Sequence, residues 1–204
     1  LEGPELDGQV DFQWQDRRLI LAPASLTLPE QVSARWEQPL QVPMSEDGDV
    51  ELPLWLGYQD LRLQANPSRL QWQGKHWQWQ GALALQGQWQ GFQLEGHWQG
   101  QAASKGLQGK PITLDARNGD DHLAFRLPLE TLQRAPYGAR ATLKGQYAGY
   151  PLDGSLSFRQ GESGWQGTLS ATSSLPDYDR GGQVSLQVPW HLQQDAVVLA
   201  DGSR

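Results

Sequence analysis

Apolar and polar residues alternate with a period of two along most of the chain. From residue 77 to residue 89 the odd positions hold Trp, Leu and Gly, whereas the even positions hold Gln and Ala. A strand points alternate side chains to opposite faces, whereas a helix repeats about every 3.6 residues, so this segment predicts a strand with one apolar face. At Gln90-Gly91 the apolar residues shift from odd to even positions, and Phe92 and Leu94 continue the apolar series. A tight hairpin at Gln90-Gly91 keeps the apolar residues of both strands on the same face.

The same alternation recurs along the rest of the chain and predicts roughly fourteen to sixteen short strands. Asp16-Arg17 and Asn118-Gly119 are typical of the turns between them. Residues 129 to 135 are good helix formers that end at a proline, so they predict a short helix or turn. We expect loops at 100–109 and at 173–182.

These elements predict an all-β fold, with residues 1–204 forming a single domain. About fifteen strands with one apolar face each require that this face be covered. A sandwich covers it by folding the sheet on itself, and a closed barrel of that size leaves a wide lumen. We expect the third arrangement, a long antiparallel meander curled into a taco-like or half-pipe sheet with an apolar concave face.

The register of the alternation predicts which side chains face the apolar interior and which face solvent. The candidate groove residues are Leu83, Leu85, Leu94, Leu123, Phe125, Leu127, Leu156, Phe158, Leu186 and Val188. The residues expected to point outward are Gln78, Gln80, Gln86, Gln88, Arg126 and Gln187.

A Trp-Gln-Gly element recurs along the chain. It occurs at 72–74, 79–81, 89–91, 98–100 and 165–167. The spacing matches a strand plus a turn, which predicts a meander with Trp near each strand end. Most of the Trp share the parity of nearby Leu and Val, which favours core or girdle positions; exposed rows that stack on sugar rings are the alternative.

Composition narrows the classes of partner. The formal charge of −7 and the pI near 5.0 argue against nucleic acid, which requires a basic surface, and against electrostatic docking on anionic lipid headgroups. The chain has no cysteine, so disulfides and thiolate chemistry are excluded. It begins Leu-Glu-Gly-Pro and stops directly after an apolar run, so we expect a fragment of a longer protein.

No motif predicts catalysis, so we expect no enzyme, no metal site and no cofactor. The four histidines, His76, His97, His122 and His191, are scattered without a second ligand at metal spacing. Residues 46–49 are acidic but lack the later Glu of a calcium loop, and 161–165 does not match a nucleophile elbow. The sequence does not exclude the paired catalytic carboxylates of a glycosidase, because such residues are close in space and need not be close in sequence.

Two segments resemble a known family. Residues 143–156 contain an Ala-Gly-x-Pro-Leu-x-Gly motif. Residues 182–192 contain a Pro-Trp motif, and the following residues predict a new strand that ends in Asp-Gly. These motifs are similar to the AsmA-like, bridge-type lipid-transfer proteins of Gram-negative envelopes, the group that includes TamB, YhdP and YdbH, and to YdbH-type chains in particular.

The resemblance implies a periplasmic segment of a protein anchored in the inner membrane. Its hydrophobic groove would shield phospholipid acyl chains on the way to the outer membrane, without a catalytic residue or a cofactor. An outer-membrane lipoprotein or another envelope protein is a possible partner. Two alternatives remain: a structural component of an envelope assembly, such as component N of type II secretion, and a carbohydrate-binding β domain.

Overall fold

The computed structural model describes residues 9–27, 32–104, 106–132, 137–161, 164–175, 182–193 and 196–199, and these are almost entirely β-strand. The predicted all-β class and the antiparallel meander are confirmed. The chain divides into two compact units, residues 1–110 and 111–204.

In unit 1 seven short strands are followed by three long strands and one further short strand. They are β1 (Phe12–Gln15), β2 (Arg18–Leu21), β3 (Ala24–Thr27), β4 (Ser33–Trp36), β5 (Leu40–Pro43), β6 (Asp47–Glu51), β7 (Leu54–Tyr58), β8 (Leu61–Gln73), β9 (His76–Trp89), β10 (Phe92–Ala103) and β11 (Gly106–Gly109). Strands β1, β2 and β5 form a small antiparallel sheet of their own. In the main sheet the order is β3-β4-β7-β8-β9-β10, with β6 also on β8 and β11 on β10.

Unit 2 is a simple meander in which each strand pairs with the next. Its strands are β12 (Ile112–Asn118), β13 (Asp121–Leu127), β14 (Gly138–Tyr147), β15 (Tyr150–Gly161), β16 (Gly164–Leu175), β17 (Gly182–Gln193) and β18 (Ala196–Leu199). β18 pairs only with residues 190–193 of β17. No other described strand pairs with the 182–189 half of β17 on that side, so this half is an open edge.

Three hairpins are closed by two residues that both have positive φ, as a type I′ turn requires. These turns are Asp16-Arg17, Gln90-Gly91 and Ala148-Gly149. The predicted turns at Asp16-Arg17 and Gln90-Gly91 are therefore confirmed, and the chain also reverses where predicted beyond Asn118, at Gly119 and Asp120. The turn type matches the right-handed twist of the strands, so it fixes the register that the alternation predicted.

Three local predictions require correction. Residues 100–103 and 106–109 are not a loop, because they are paired strands of the β10–β11 hairpin, in which Gln101 is opposite Gln108; residue 105 lies outside the described residues. Residues 173–175 are in β16 and not in a loop; 176–181 lie outside the described residues. The helix expected at 129–135 is a single 3-10 turn, Leu129–Thr131, and 133–136 lie outside the described residues.

Candidate functional site

In unit 1 the register brings the predicted groove residues of β9 and β10 to one face of the sheet. Leu85 lies opposite Leu63 of β8 on one side and opposite Gly96 of β10 on the other. Leu83 lies two residues before Leu85 in the same strand. Leu94 of β10 lies opposite a glycine of β9 on the same face. All three leucines are half-buried. We call this side of the unit 1 sheet its apolar face and the opposite side its polar face.

Unit 2 has the same organisation across its meander. Phe125 lies opposite Leu114 of β12 and Leu143 of β14, and Leu156 lies opposite an alanine of β14 and Leu169 of β16. The side that carries these residues is the apolar face of unit 2. It carries all of the groove candidates predicted in this unit: Leu123, Phe125, Leu127, Leu156, Phe158, Leu186 and Val188.

The residues predicted to point outward lie on the opposite, polar faces. Gln78, Gln80, Gln86 and Gln88 alternate with the apolar residues of β9, and all four are exposed. Arg126 and Gln187 occupy the equivalent positions in unit 2 and are also exposed. The alternation therefore assigned both faces of these strands correctly.

The apolar faces are covered unevenly. Leu143 is 2% exposed and Val188 is 9% exposed, yet no large side chain among the described residues falls below 2%. Leu186 lies on the same face but is 46% exposed. The cause is the open edge of β17, because no described strand lies beside Leu186 on that side. Most of the other bulky apolar residues on these faces are half-buried, unlike the core of a closed sandwich.

Two tryptophans of unit 1 lie flat over glycines of their own strands. A Cβ added at Gly100 would be 2.8 Å from Cζ2 of Trp98, and one added at Gly81 would be 2.8 Å from Cζ2 of Trp79. The two indoles stack on each other with ring centroids 5.4 Å apart and an interplanar angle of 16°. The missing Cβ is therefore what lets each ring lie against the sheet, an arrangement known to compensate for glycine in strands.

Two further tryptophans cover a glycine of the neighbouring strand. Trp190 lies opposite Gly167, and its Cζ2 would be 2.6 Å from a Cβ there. Trp72 covers Gly48 in the same way. The prediction that Trp-Gln-Gly places Trp near a strand end, before a turn, is correct for Trp72 and Trp89. Trp165 is near a strand end, but at the start of β16 rather than before a turn. The prediction is wrong for Trp79 and Trp98, which lie inside β9 and β10.

Hydrogen bonds from the indole nitrogen fix the orientation of two tryptophan rings. Trp79 donates through Nε1 to Oγ of Ser68 at 2.7 Å, and Trp36 donates to the carbonyl of Ala22 at 2.8 Å. Ser68 is 6% exposed, and its bond to Trp79 orients the stacked pair. The sequence analysis missed Ser68, because it pairs with Gly81 only after a bulge in β8.

Two of the described histidines lie within contact distance of a carboxylate. His122 contacts Oδ1 of Asp115 through Nε2 at 3.0 Å, and His97 contacts Glu95 at 3.2 Å. Within the described ranges no three His, Asp or Glu residues are grouped closely enough to hold a metal ion. Nor does any described residue belong to a helix with the length and apolar character that a membrane crossing requires.

Comparison of this chain with protein-family models, with curated proteins and with solved structures finds no match.

Proposed function

We propose that the apolar faces bind the acyl chains of phospholipids, and that the chain is a periplasmic segment of a lipid-transfer protein. The observation that carries this proposal is that bulky apolar side chains on each unit's apolar face, among them Leu83, Leu85, Phe125 and Leu156, are only half-buried. In a solid core such residues are mostly inaccessible to water. Here they keep partial exposure, which an acyl chain would remove.

The gain from such binding is large enough to matter. Each acyl CH2 removed from water contributes about 0.8 kcal/mol, so covering about ten of them contributes roughly 8 kcal/mol before the cost of ordering the chain. The indoles that lie flat over Gly81, Gly100 and Gly167 add apolar area without protruding from the sheet. The chain's charge of −7 disfavours attachment through anionic headgroups, so the acyl chains provide the attraction.

In-cell photo-crosslinking to labelled phospholipid tests the proposal with neighbouring residues as matched controls. A photo-reactive residue at Leu85 or Leu186 should crosslink lipid, because both side chains lie on an apolar face. The same residue at Gln86 or Gln187, one position along the strand on a polar face, should not. Phe125 and Leu156 extend the test in unit 2.

Lipid extraction and native mass spectrometry of the purified protein provide a second readout. Equal crosslinking on both faces would indicate nonspecific contact with membranes. No lipid at Leu85, Phe125 and Leu156, with normal expression, would overturn the proposal.

A further inference from the structure

A row of polar side chains crosses five adjacent strands on the polar face of unit 1. Each member lies directly opposite the next in register. From β6 to β11 the row consists of Glu51, Arg69, Gln80, Gln101 and Gln108. Since neighbouring strands are about 4.8 Å apart, the row spans roughly 19 Å.

This row forms one wall of a groove that runs across the strands. The backbone of Gly81, Gly100 and Gly109 forms the floor, and Asn66, Pro67 and Gln99 are on the far side. The groove has a volume of about 610 Å³, within the range of roughly 300–1,000 Å³ found for small-molecule sites. The five side chains of the row lie on the side of the sheet opposite the apolar face.

Two contacts preorganise the wall. Gln78 donates through Nε2 to Oε1 of Gln101 at 2.9 Å, which orients the Gln101 amide while leaving its NH2 group and a second lone pair of its oxygen for a ligand. Arg69 is held by Oδ2 of Asp49, at 3.1 Å from Nε and 2.7 Å from the terminal nitrogen. Side chains that are already oriented lose less conformational entropy on binding.

The chemistry of the wall selects the class of ligand. Primary amides both donate and accept hydrogen bonds, as hydroxyl groups do. The only cation of the wall is Arg69, which already pairs with Asp49 and lies opposite Glu51, so an anionic ligand gains no net attraction. The backbone groups of central strands are used in the sheet ladder, which disfavours a peptide bound as an added strand.

We propose that this groove binds a neutral oligosaccharide that lies across β6, β8, β9, β10 and β11. One polar side chain per strand then meets successive sugar rings. The proposal does not depend on lipid binding, because it concerns the opposite face.

Isothermal titration calorimetry with cellohexaose, chitohexaose and maltohexaose tests the proposal on the full chain. We expect at least one of these hexasaccharides to bind. The double variant Gln80→Ala/Gln101→Ala should weaken that binding by about tenfold or more, as expected for two lost hydrogen bonds. Gln88→Ala is the matched control, because Gln88 is exposed on the same face of β9 but outside the groove.

Three results would overturn the proposal. The first is the absence of binding by all three hexasaccharides at millimolar concentration. The second is unchanged affinity in the folded double variant, with folding checked by far-UV circular dichroism. The third is an equal loss of affinity in Gln88→Ala.

Discussion

Leu143 and Leu186 provide a direct test of whether the apolar face of unit 2 is open to solvent. Both lie on this face, but Leu143 is 2% exposed and Leu186 is 46% exposed. Replacing each leucine with Arg places the same positive charge at a buried site and at an exposed site. If the apolar face is open, the two substitutions should lower the free energy of unfolding by very different amounts. If the face is closed in solution, they should lower it by similar amounts.

The expected costs follow from burial. Leu143→Arg loses about 1.5–3 kcal/mol of apolar burial and adds several kcal/mol for an unpaired buried charge, which approaches the total stability of about 5–15 kcal/mol for a typical domain. Leu186→Arg loses only about 1 kcal/mol, because roughly half of the side chain is already in water. The aliphatic part of Arg offsets some of this loss by lying along the strand.

Thermal denaturation followed by tryptophan fluorescence and far-UV circular dichroism measures both variants. Leu186→Arg should remain folded, with its melting temperature lowered by about 2–4 °C, the shift expected for 1 kcal/mol in a protein of this size. Leu143→Arg should be unfolded or insoluble. If Leu186→Arg were as damaging as Leu143→Arg, Leu186 would be covered in solution, and the reasoning from an open apolar face would fail.

Two further predictions concern the glycine and tryptophan packing. Gly100→Ala should cost about 1–3 kcal/mol or more in urea denaturation, because its Cβ would meet both the indole of Trp98 and the carbonyl of Gln108. Gly74→Ala, at a turn with φ +55° and nothing within 4 Å, is its control and should cost only about 1–2 kcal/mol of backbone strain; equal costs would contradict the close packing at Gly100. Ser68→Ala should cost about 1–3 kcal/mol by the same assay, because Nε1 of Trp79 loses its acceptor, and an unchanged urea midpoint would show that this donor reaches water.

The local features of the fold were accessible from sequence because they depend on neighbouring residues. The parity change at Gln90-Gly91 determined both the hairpin and the face of Leu85 and Leu94, since a turn of two residues leaves little freedom in register. Glutamine and leucine at alternate positions then distinguished the polar from the apolar face. The same reasoning extends from one hairpin to the next, and this is why the meander was predictable.

Pairings between distant segments were not accessible in this way. β2 pairs with β5, whose residues follow about twenty positions later, and no local pattern selects that partner. Residues 50–56 alternate without interruption in apolar character, yet they divide into β6 and β7 around Pro53, which has no N–H to donate to a ladder. Both strands pair with β8, on either side of its bulge between Ala65 and Ser68.

The polar groove escaped the sequence analysis for the same reason. Successive members of the row from Glu51 through Arg69 and Gln80 to Gln101 are 11 to 21 residues apart along the chain, and only the register places them side by side. Glutamine at every second position predicted a face exposed to solvent, and this pattern gave no reason to expect a binding site there. The three glycines of the floor likewise resembled turn residues, although Gly81 and Gly100 lie in the middle of long strands.

The same glycines determine the shape of both faces of unit 1. On the apolar face, the missing Cβ at Gly81 and Gly100 lets the indoles of Trp79 and Trp98 lie flat, so these two rings do not protrude from the surface offered to an acyl chain. On the polar face, the backbone of these residues is the floor of the groove. A Cβ at either position would displace an indole and also press against a carbonyl of the adjacent strand. The shapes of the two faces are therefore coupled through the backbone, even though their side chains never meet.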